Sequence, residues 1–199
     1  LGMQNNNGEK AALTLGVDRG HIDVMGDPKY DAQQPLTDEE KEQLRKNFKL
    51  EIGTPVWIAG STHAGEEEII LEAHQQLTAE HHNLVLILAP RRIERVEEVV
   101  TLLKKKNISF ALRSSLKHAE TVILIDTMGE LAKVYSLGQV AFIGKSLIKP
   151  GGGHSLIEPL SYGLPVLYGP FVGNIGHVAD KAHELGLAIT VQNSKDIKE

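Results

Sequence analysis

Residues 150–170 have the sequence PGGGHSLIEPLSYGLPVLYGP, the most informative stretch of the chain. Three glycines, Gly151–Gly153, precede a predicted helix whose N-cap we place at Ser155 and whose first turn carries Glu158, and the apolar residues Val166–Tyr168 predict a strand. Glycines let the backbone approach a ligand closely, and the amides at a helix N-terminus attract anions. A carboxylate one turn later can accept hydrogen bonds from hydroxyl groups. Together these parts suit a sugar nucleotide, with phosphate on the amides and ribose on the acid.

Strand and helix patterns alternate on both sides of this stretch. Apolar, β-prone runs predict strands at Val56–Ala59, Leu84–Ala89, Ile108–Leu112, Val122–Asp126, Val140–Ile143, Val166–Tyr168 and Ala188–Val191. Helical periodicity predicts helices at Glu66–Leu77, Ile93–Lys105, Gly129–Tyr135, Ser155–Tyr162 and Asn174–Leu185. The capping box from Thr37 to Glu40 predicts an earlier helix. The alternation indicates an α/β fold: a Rossmann-like, mainly parallel sheet with helices on both faces.

Ligands of open parallel sheets bind at the carboxyl ends of the strands, so the loops that follow the predicted strands are candidate sites. The loop GSTHAGEE, residues 60–67, offers hydroxyl groups and amides at a strand-to-helix turn. The alternative is a purely structural loop, in which the negative charges of Glu66 and Glu67 interact favourably with the dipole of the following helix. The lone His63 adds a titratable group, although a single loop histidine is more often solvated than catalytic.

The sequence APRRIER follows the second predicted strand and brings arginines to the same edge of the sheet. Guanidinium groups bind phosphate and carboxylate bidentately, so we prefer Arg91, directly after Pro90, as an anion contact. For Arg92 the sequence does not favour either anion binding or pairing on the protein surface. Arg95 falls one turn into the helix, where we expect it to pair with a glutamate of its own helix.

Two more loops follow predicted strands. In DTMGEL, residues 126–131, amides and a carboxylate are presented again, and the alternative is an ordinary helix cap. In the sequence GKSL, Lys145 either faces an acidic ligand or is solvated. The chain has no Walker A spacing, no Gly-x-Gly-x-x-Gly fingerprint and no Gly-x-Ser-x-Gly elbow. The histidines lack metal-ligand spacing, so no metal site is predicted.

Composition narrows the classes of protein. The 199 residues suffice for one large α/β domain, or for a domain with a small attachment. The net charge of −5, without a basic block, argues against nucleic-acid binding. The chain has no cysteine, hence no disulfide or thiolate metal site, and no signal peptide or apolar run long enough to span a bilayer. It opens on Leu-Gly-Met-Gln, which we interpret as a piece of a longer protein.

Taken in order, GSTHAGEE, APRRIER, DTMGELAKVY and FIGKSLIKPGGGHSLIEPLSYGLPVLYGP strongly resemble the carboxyl-terminal half of the bacterial transferases of 3-deoxy-D-manno-octulosonic acid (Kdo). VMGDPKYD, residues 24–31, resembles the crossover between the two domains of that family. The resemblance implies the carboxyl-terminal half of a GT-B glycosyltransferase, in which two Rossmann-like domains face each other across a cleft. Residues 1–20 are then the remnant of an interdomain or amino-terminal segment, and residues 21–199 the CMP-Kdo-binding domain.

The resemblance also implies roles for individual residues. Ser61, Thr62 and His63 match the loop that faces the cleft. Two positions depart from the family, which usually has His where this chain has Arg92, and Asn where it has Ser155. The implied donor-binding residues are Pro90, Arg91, Arg92, Met128, Gly129, Glu130, Gly152, Gly153, His154, Ser155 and Glu158.

The implied reaction is transfer of Kdo from CMP-Kdo to a lipid A precursor, at the cytoplasmic face of the bacterial inner membrane, in lipopolysaccharide inner-core synthesis. In the family, the amino-terminal half supplies the membrane anchor, the acceptor site and the general base. We therefore expect this chain to bind the donor without a catalytic residue of its own, without a cofactor, and to be inactive alone. The alternatives are a UDP-sugar-using GT-B transferase or epimerase domain and a non-catalytic α/β nucleotide-binding module; a dehydrogenase fits less well.

Overall fold

A computed structural model describes residues 1–4, 6–26 and 35–199 and divides the chain into two compact units, residues 1–34 and 35–199. In the first unit, strand β1 (Gly2–Met3) and helix α1 (Asn6–Thr14) are followed by strand β2 (Asp23–Val24), which pairs with β1 in parallel. This pairing links residues 23–24 to the amino terminus, and the division after residue 20 stays a prediction. The predicted linker and most of the VMGDPKYD motif lie outside the described residues.

The second unit begins with helix α2 (Asp38–Asn47), and its capping box between Thr37 and Glu40 is confirmed. Strands and helices then alternate as predicted, with some boundaries moved by a few residues. They are β3 (Val56–Thr62), α3 (Glu66–Glu80), β4 (Val85–Pro90), α4 (Val96–Lys105), β5 (Phe110–Leu112), β6 (Val122–Leu124), α5 (Leu131–Val134), β7 (Val140–Ile143), α6 (Ile157–Ser161), β8 (Val166–Tyr168), α7 (Gly176–Glu184), β9 (Ala188–Thr190) and α8 (Ser194–Lys198).

Strands β3 to β9 form one seven-stranded sheet in the order β5-β6-β4-β3-β7-β8-β9, and every pair of neighbours is parallel. The predicted parallel α/β fold is therefore confirmed. Strands β4, β5 and β6 lie on one side of the central strand β3, and β7, β8 and β9 lie on the other. The direction in which strands are added therefore reverses between β3 and β7, and in open α/β sheets a crevice for ligands forms at such a reversal.

Both faces of the sheet are covered, which explains why its strands are almost continuously apolar. On one face, Ile58 and Ile87 pack in a cluster of buried side chains, and on the other Trp57 and Phe142 do so. Among the described residues, no helix is both long and apolar enough to cross a bilayer.

A bulge at the end of β3 shapes the loop that follows. The register with β4 shifts between Gly60 and Thr62, and Ser61 between them has a positive φ of 56°. The neighbouring end of β7 is in such close contact with this bulge that a Cβ atom on Gly144 would collide with the Ser61 carbonyl. The loops after β3 and β7 are thus in direct contact.

Candidate functional site

Two histidines meet where the strand order reverses. His63 follows β3, His154 lies in the glycine loop after β7, and their Nε2 atoms are 3.0 Å apart, with the rings stacked at 5.3 Å between centroids. One imidazole must donate and the other accept in this hydrogen bond, so the pair is compatible with two neutral rings. The sequence did not suggest the pairing, because the two residues are 91 positions apart.

The surroundings of this pair favour its neutral form. Burial lowers the pKa of His154 to about 4, helped by the nearby His63, Arg91 and Lys145. Burial also lowers the pKa of His63; Glu66 opposes the shift, and Lys145, Arg95 and Arg92 add to it. Both imidazoles are therefore uncharged near pH 7 and can exchange neutral hydrogen bonds with a ligand.

Glu66 is fully buried and fixes the two loops to each other. Its carboxylate accepts hydrogen bonds from the amide of His63 at 2.9 Å and from three amides of the turn after β7, those of Lys145, Ser146 and Leu147, at 2.8–2.9 Å. Four N–H donors satisfy a buried carboxylate without a cation. Glu66 is thus more than a favourable charge at a helix N-terminus.

Glu67 is also buried, and its carboxylate binds the Arg95 guanidinium at 2.7 and 3.2 Å. Arg95 pairs with Glu98 as well, so the expected pairing within its helix is only part of its role. Thr62 donates its hydroxyl hydrogen to Glu67 at 2.9 Å and is wholly buried. The expectation that Thr62 faces the cleft is therefore wrong, because the bulge turns its side chain inward.

The three glycines of the loop after β7 all have positive φ, and a Cβ atom on Gly152 or Gly153 would collide with Asn174 or Ile175. Two of their amides are occupied: Gly152 donates to the Phe171 carbonyl at 2.8 Å and Gly153 to the Lys145 carbonyl at 2.7 Å.

The amide of His154 likewise donates to the Gly144 carbonyl, at 3.2 Å. We expected the amides of residues 152–155 and of residues 129–130 to hold a phosphate. For residues 152–154 this is corrected, because their amides donate to main-chain carbonyls. What the loop presents to a ligand is the imidazole of His154.

Helix α6 carries the predicted first-turn acid but begins later than expected. Its N-cap is Leu156, and Ser155 accepts the Ile157 amide at 3.3 Å from one position further out, so the predicted cap at Ser155 is wrong by one residue. Glu158 lies on the first turn, as predicted. Burial raises the pKa of this carboxyl, while Arg91 lowers it.

Glu158 and Arg91 differ from Glu66, Glu67 and Arg95 in having no hydrogen-bonded side-chain partner among the described residues. In the described part of the chain, no donor binds the half-buried Glu158 carboxylate, and the Arg91 guanidinium has no ion pair. The Arg91 main chain is fixed, since its amide donates to the Thr62 carbonyl at 3.0 Å. Its charge acts on both Glu158 and His154. These groups are thus free to bind a ligand.

A cavity of about 310 Å³ lies between the ends of β4 and β6 and brings two of the predicted loops together. Arg91 belongs to its lining and so connects the cavity to Glu158 and His154. The predicted residues in the lining are Ser61, Pro90, Arg91, Arg92, Met128 and Gly129.

Glu130, also predicted, does not line this cavity and already has partners. Arg113 Nε donates to its carboxylate at 2.8 Å, and so does the Thr127 hydroxyl. Its side chain therefore stabilises the loop. Among the described residues, no group of three His, Asp or Glu side chains is arranged to hold a metal ion.

The edge thus brings together His63, His154, Arg91 and Glu158 and places Gly152 and Gly153 behind them. Sequence reasoning missed the burial of Glu66 and Glu67. A signal was present, since the residues four positions later, Ile70 and Leu71, are core residues on the same helix faces.

Known proteins were compared with the chain, and no family model matches it. A 3-deoxy-D-manno-octulosonic acid transferase from Haemophilus influenzae is 38% identical over 206 aligned positions, which cover 100% of this chain and 47% of the relative. The chain therefore spans about half the length of that enzyme.

Two solved structures resemble the fold. The C-terminal CMP-Kdo binding domain of WaaA from Acinetobacter baumannii is 34% identical, with a TM-score of 0.74, over 80% of this chain and 83% of that one. The UDP-GlcNAc 2-epimerase of Methanocaldococcus jannaschii, in complex with UDP-GlcNAc and UDP, is 18% identical, with a TM-score of 0.57, over 100% of this chain and 52% of that one. The second likeness is one of fold alone.

Proposed function

The chain belongs to the Kdo transferase family, as a relative of the carboxyl-terminal domain of its members, and we propose that it binds the sugar nucleotide CMP-Kdo as the donor half of a glycosyltransferase. The observation that carries the proposal is the pairing of a free guanidinium with a free, half-buried carboxylate beside a cavity at the sheet edge. Arg91 and Glu158 have no other partner among the described residues, and parallel sheets bind nucleotides at this edge.

The two free charges suit the phosphate and the ribose of a cytidine nucleotide. Arg91 binds the phosphate, since a guanidinium matches its oxygens bidentately. Glu158 accepts hydrogen bonds from the ribose hydroxyls. The cavity of about 310 Å³, lined by Pro90, Met128 and Gly129, holds the remaining part of the nucleoside. Binding at all three places fixes the donor with its phosphate at the reversal of strand order.

In transfer, the bond between the sugar and the phosphate breaks, and CMP leaves with an additional charge. Positive charge fixed before the reaction stabilises such a leaving group, and we assign that role to Arg91. Glu158 fixes the donor's orientation.

We propose that the amino-terminal half of the whole enzyme supplies the general base, the acceptor site for a lipid A precursor and a membrane anchor. The reaction would then take place at the cytoplasmic face of the inner membrane, in lipopolysaccharide synthesis. We also propose that residues 1–20 are the remnant of an interdomain or amino-terminal segment of that enzyme.

A titration of the chain with CMP, UDP and GDP tests this function. We expect CMP to bind most tightly. Preference for UDP would favour the UDP-sugar transferase or epimerase alternative, and binding of none of the three would contradict a nucleotide site.

Glu158→Ala sharpens the test. It should lower CMP affinity about tenfold, because the ribose loses a charged hydrogen-bond acceptor, and the unfolding free energy should change little. Glu68→Ala, at an exposed position on α3, is the matched control and should bind CMP normally. Unaltered CMP binding by Glu158→Ala would rule out the ribose role.

A further inference from the structure

Lys145 has a backbone conformation that no helix end explains. Among the described residues, four that are not glycine have positive φ: Lys49, Ser61, Asn107 and Lys145. Lys49 and Asn107 directly follow the C-caps of α2 and α4, where a left-handed residue is the usual way to end a helix. Lys145 has φ of 60° and follows strand β7 instead. Such conformations are unfavourable for side-chain-bearing residues and concentrate at functional sites.

The main chain of Lys145 is held firmly in this conformation. Its amide donates to the buried Glu66 carboxylate at 2.8 Å, and its carbonyl accepts the Gly153 amide at 2.7 Å. Gly153 directly precedes His154, so the second bond places Lys145 beside the histidine pair. The base of the lysine side chain is thereby fixed at the reversal of strand order.

The charge of Lys145 acts on the histidine pair of the site. It acts on both His63 and His154, whereas Arg91 acts on His154 and Glu158. Within the residues that the structure describes, the Lys145 ammonium group has no ion pair, in contrast to Arg95 with Glu67. Two cations that have no ion pair in the described part of the chain, Arg91 and Lys145, therefore both act on the imidazole of His154.

The donor proposed above carries two anions. In CMP-Kdo, the phosphate oxygen and the sugar carboxylate are attached to the same anomeric carbon, so the two negative groups are neighbours. A site that holds both needs two cations close together and no carboxylate between them. Lys145 and Arg91, near the neutral His154, meet this requirement, while Glu158 interacts with Arg91.

We propose that Lys145 binds the sugar carboxylate of the donor and thereby selects acidic sugars, while Arg91 binds the phosphate. This inference rests on the proposed function. A lysine suits the task because its ammonium group is a compact charge on a flexible stem and adapts to a single carboxylate. The neutral imidazoles of His63 and His154 exclude water between the two cations without competing for either anion.

The test compares CMP, which lacks the carboxylate, with CMP-Kdo in calorimetric titrations of the whole 199-residue chain. Lys145→Met keeps the length of the side chain and removes its charge. We expect it to lower CMP-Kdo affinity about tenfold or more and CMP affinity less than about twofold. Arg91→Met should weaken both ligands. Lys149→Met, a lysine of the same loop whose ammonium lies 5.5 Å from the centre of the Phe171 ring, is the control and should weaken neither.

Each other outcome contradicts the inference. Equal losses for both ligands in Lys145→Met would move Lys145 to the phosphate, and no loss for either would remove it from the site. Lys145→Arg retains the charge and should preserve most of the preference for CMP-Kdo, which separates loss of charge from loss of loop structure. If the unsubstituted chain binds CMP no better than UDP, the proposed function fails first, and the assignment of Lys145 fails with it.

Discussion

The charged groups at the carboxyl edge of the sheet fall into two regions that look alike in sequence but differ in structure. In the region between α3 and the turn after β7, Glu66 and Glu67 are buried, and their carboxylates are bound by amides, Thr62 and Arg95. At the rim, Arg91, Lys145 and Glu158 have no such partners among the described residues. Filled hydrogen-bonding capacity indicates a structural role, and unfilled capacity at the same edge indicates a ligand.

The largest expected effect belongs to Glu66. Glu66→Ala leaves four amides without their acceptor and should lower the unfolding free energy by about 3–5 kcal/mol in urea denaturation, because three of those amides lie in one buried turn. Glu68→Ala on the solvent side of α3 should change it by less than about 0.5 kcal/mol. If both variants unfolded at the same urea concentration, the distinction between the two regions would be lost.

Acid should destabilise the domain through His74, which is buried at the opposite, amino-terminal end of the strands. Burial lowers the pKa of His74 to about 4, and both of its ring nitrogens are occupied, by the Trp57 indole at 3.1 Å and the Thr121 carbonyl at 2.9 Å. The folded state takes up this proton at lower pH than the unfolded state. Stability is therefore full above pH 6.5 and should fall by about 3 kcal/mol as the pH drops to 4.

Urea denaturation at several pH values measures this loss. His74→Gln should flatten the pH dependence of the unfolding free energy, whereas replacement of the exposed His82 should leave it steep. An unchanged slope in His74→Gln would assign the acid sensitivity to another group.

Two arginines four residues apart should behave in opposite ways. Arg95→Met leaves the buried Glu67 without its cation and should lower the unfolding free energy by about 2 kcal/mol, with CMP affinity unchanged. Arg91→Met should leave stability within about 0.5 kcal/mol and lower CMP affinity about tenfold, while binding of free cytidine, which has no phosphate, stays the same. Denaturation and calorimetry on the same two variants decide the matter. Equal losses of CMP and cytidine in Arg91→Met would take Arg91 away from the phosphate.

The smallest effect concerns Arg92, which is exposed in the cavity lining. Unlike the charge of Arg91, that of Arg92 acts on His63 and not on Glu158 or His154, so Arg92→Met should lower CMP affinity only about twofold. A tenfold loss in the same titration would place Arg92 beside Arg91 as a phosphate contact.

The sequence predicted the sheet and its helices well because parallel strands and amphipathic helices have strong periodic signals. Glu158 lies in the first turn of its helix, as predicted, and the donor-binding roles of Glu158 and Arg91 stay predictions. Side-chain direction was harder to predict. Thr62 was expected in the cleft, and the bulge at Ser61 turned it into the core.

Contacts between distant residues could not be predicted from local patterns. The hydrogen bond of His63 with His154 and the bonds of Glu66 to residues 145–147 depend on which loops become neighbours, and that follows from the strand order. The glycine loop was predicted to bind a phosphate through its amides, but the amides of residues 152–154 donate to main-chain carbonyls of the protein. A glycine-rich sequence indicates that another group approaches the backbone closely, and here that group is another part of the protein and not a ligand.

The Glu66 bonds also bear on how the domain folds. Its acceptors are filled by amides 79 to 81 positions further along the chain, across the β3–β7 junction. Until the second half of the sheet docks, this carboxylate has to stay hydrated, and α3 cannot close fully over β3. Long-range contacts of this kind form slowly, so we expect the Glu66 bonds to form late in folding, when the two halves of the sheet come together.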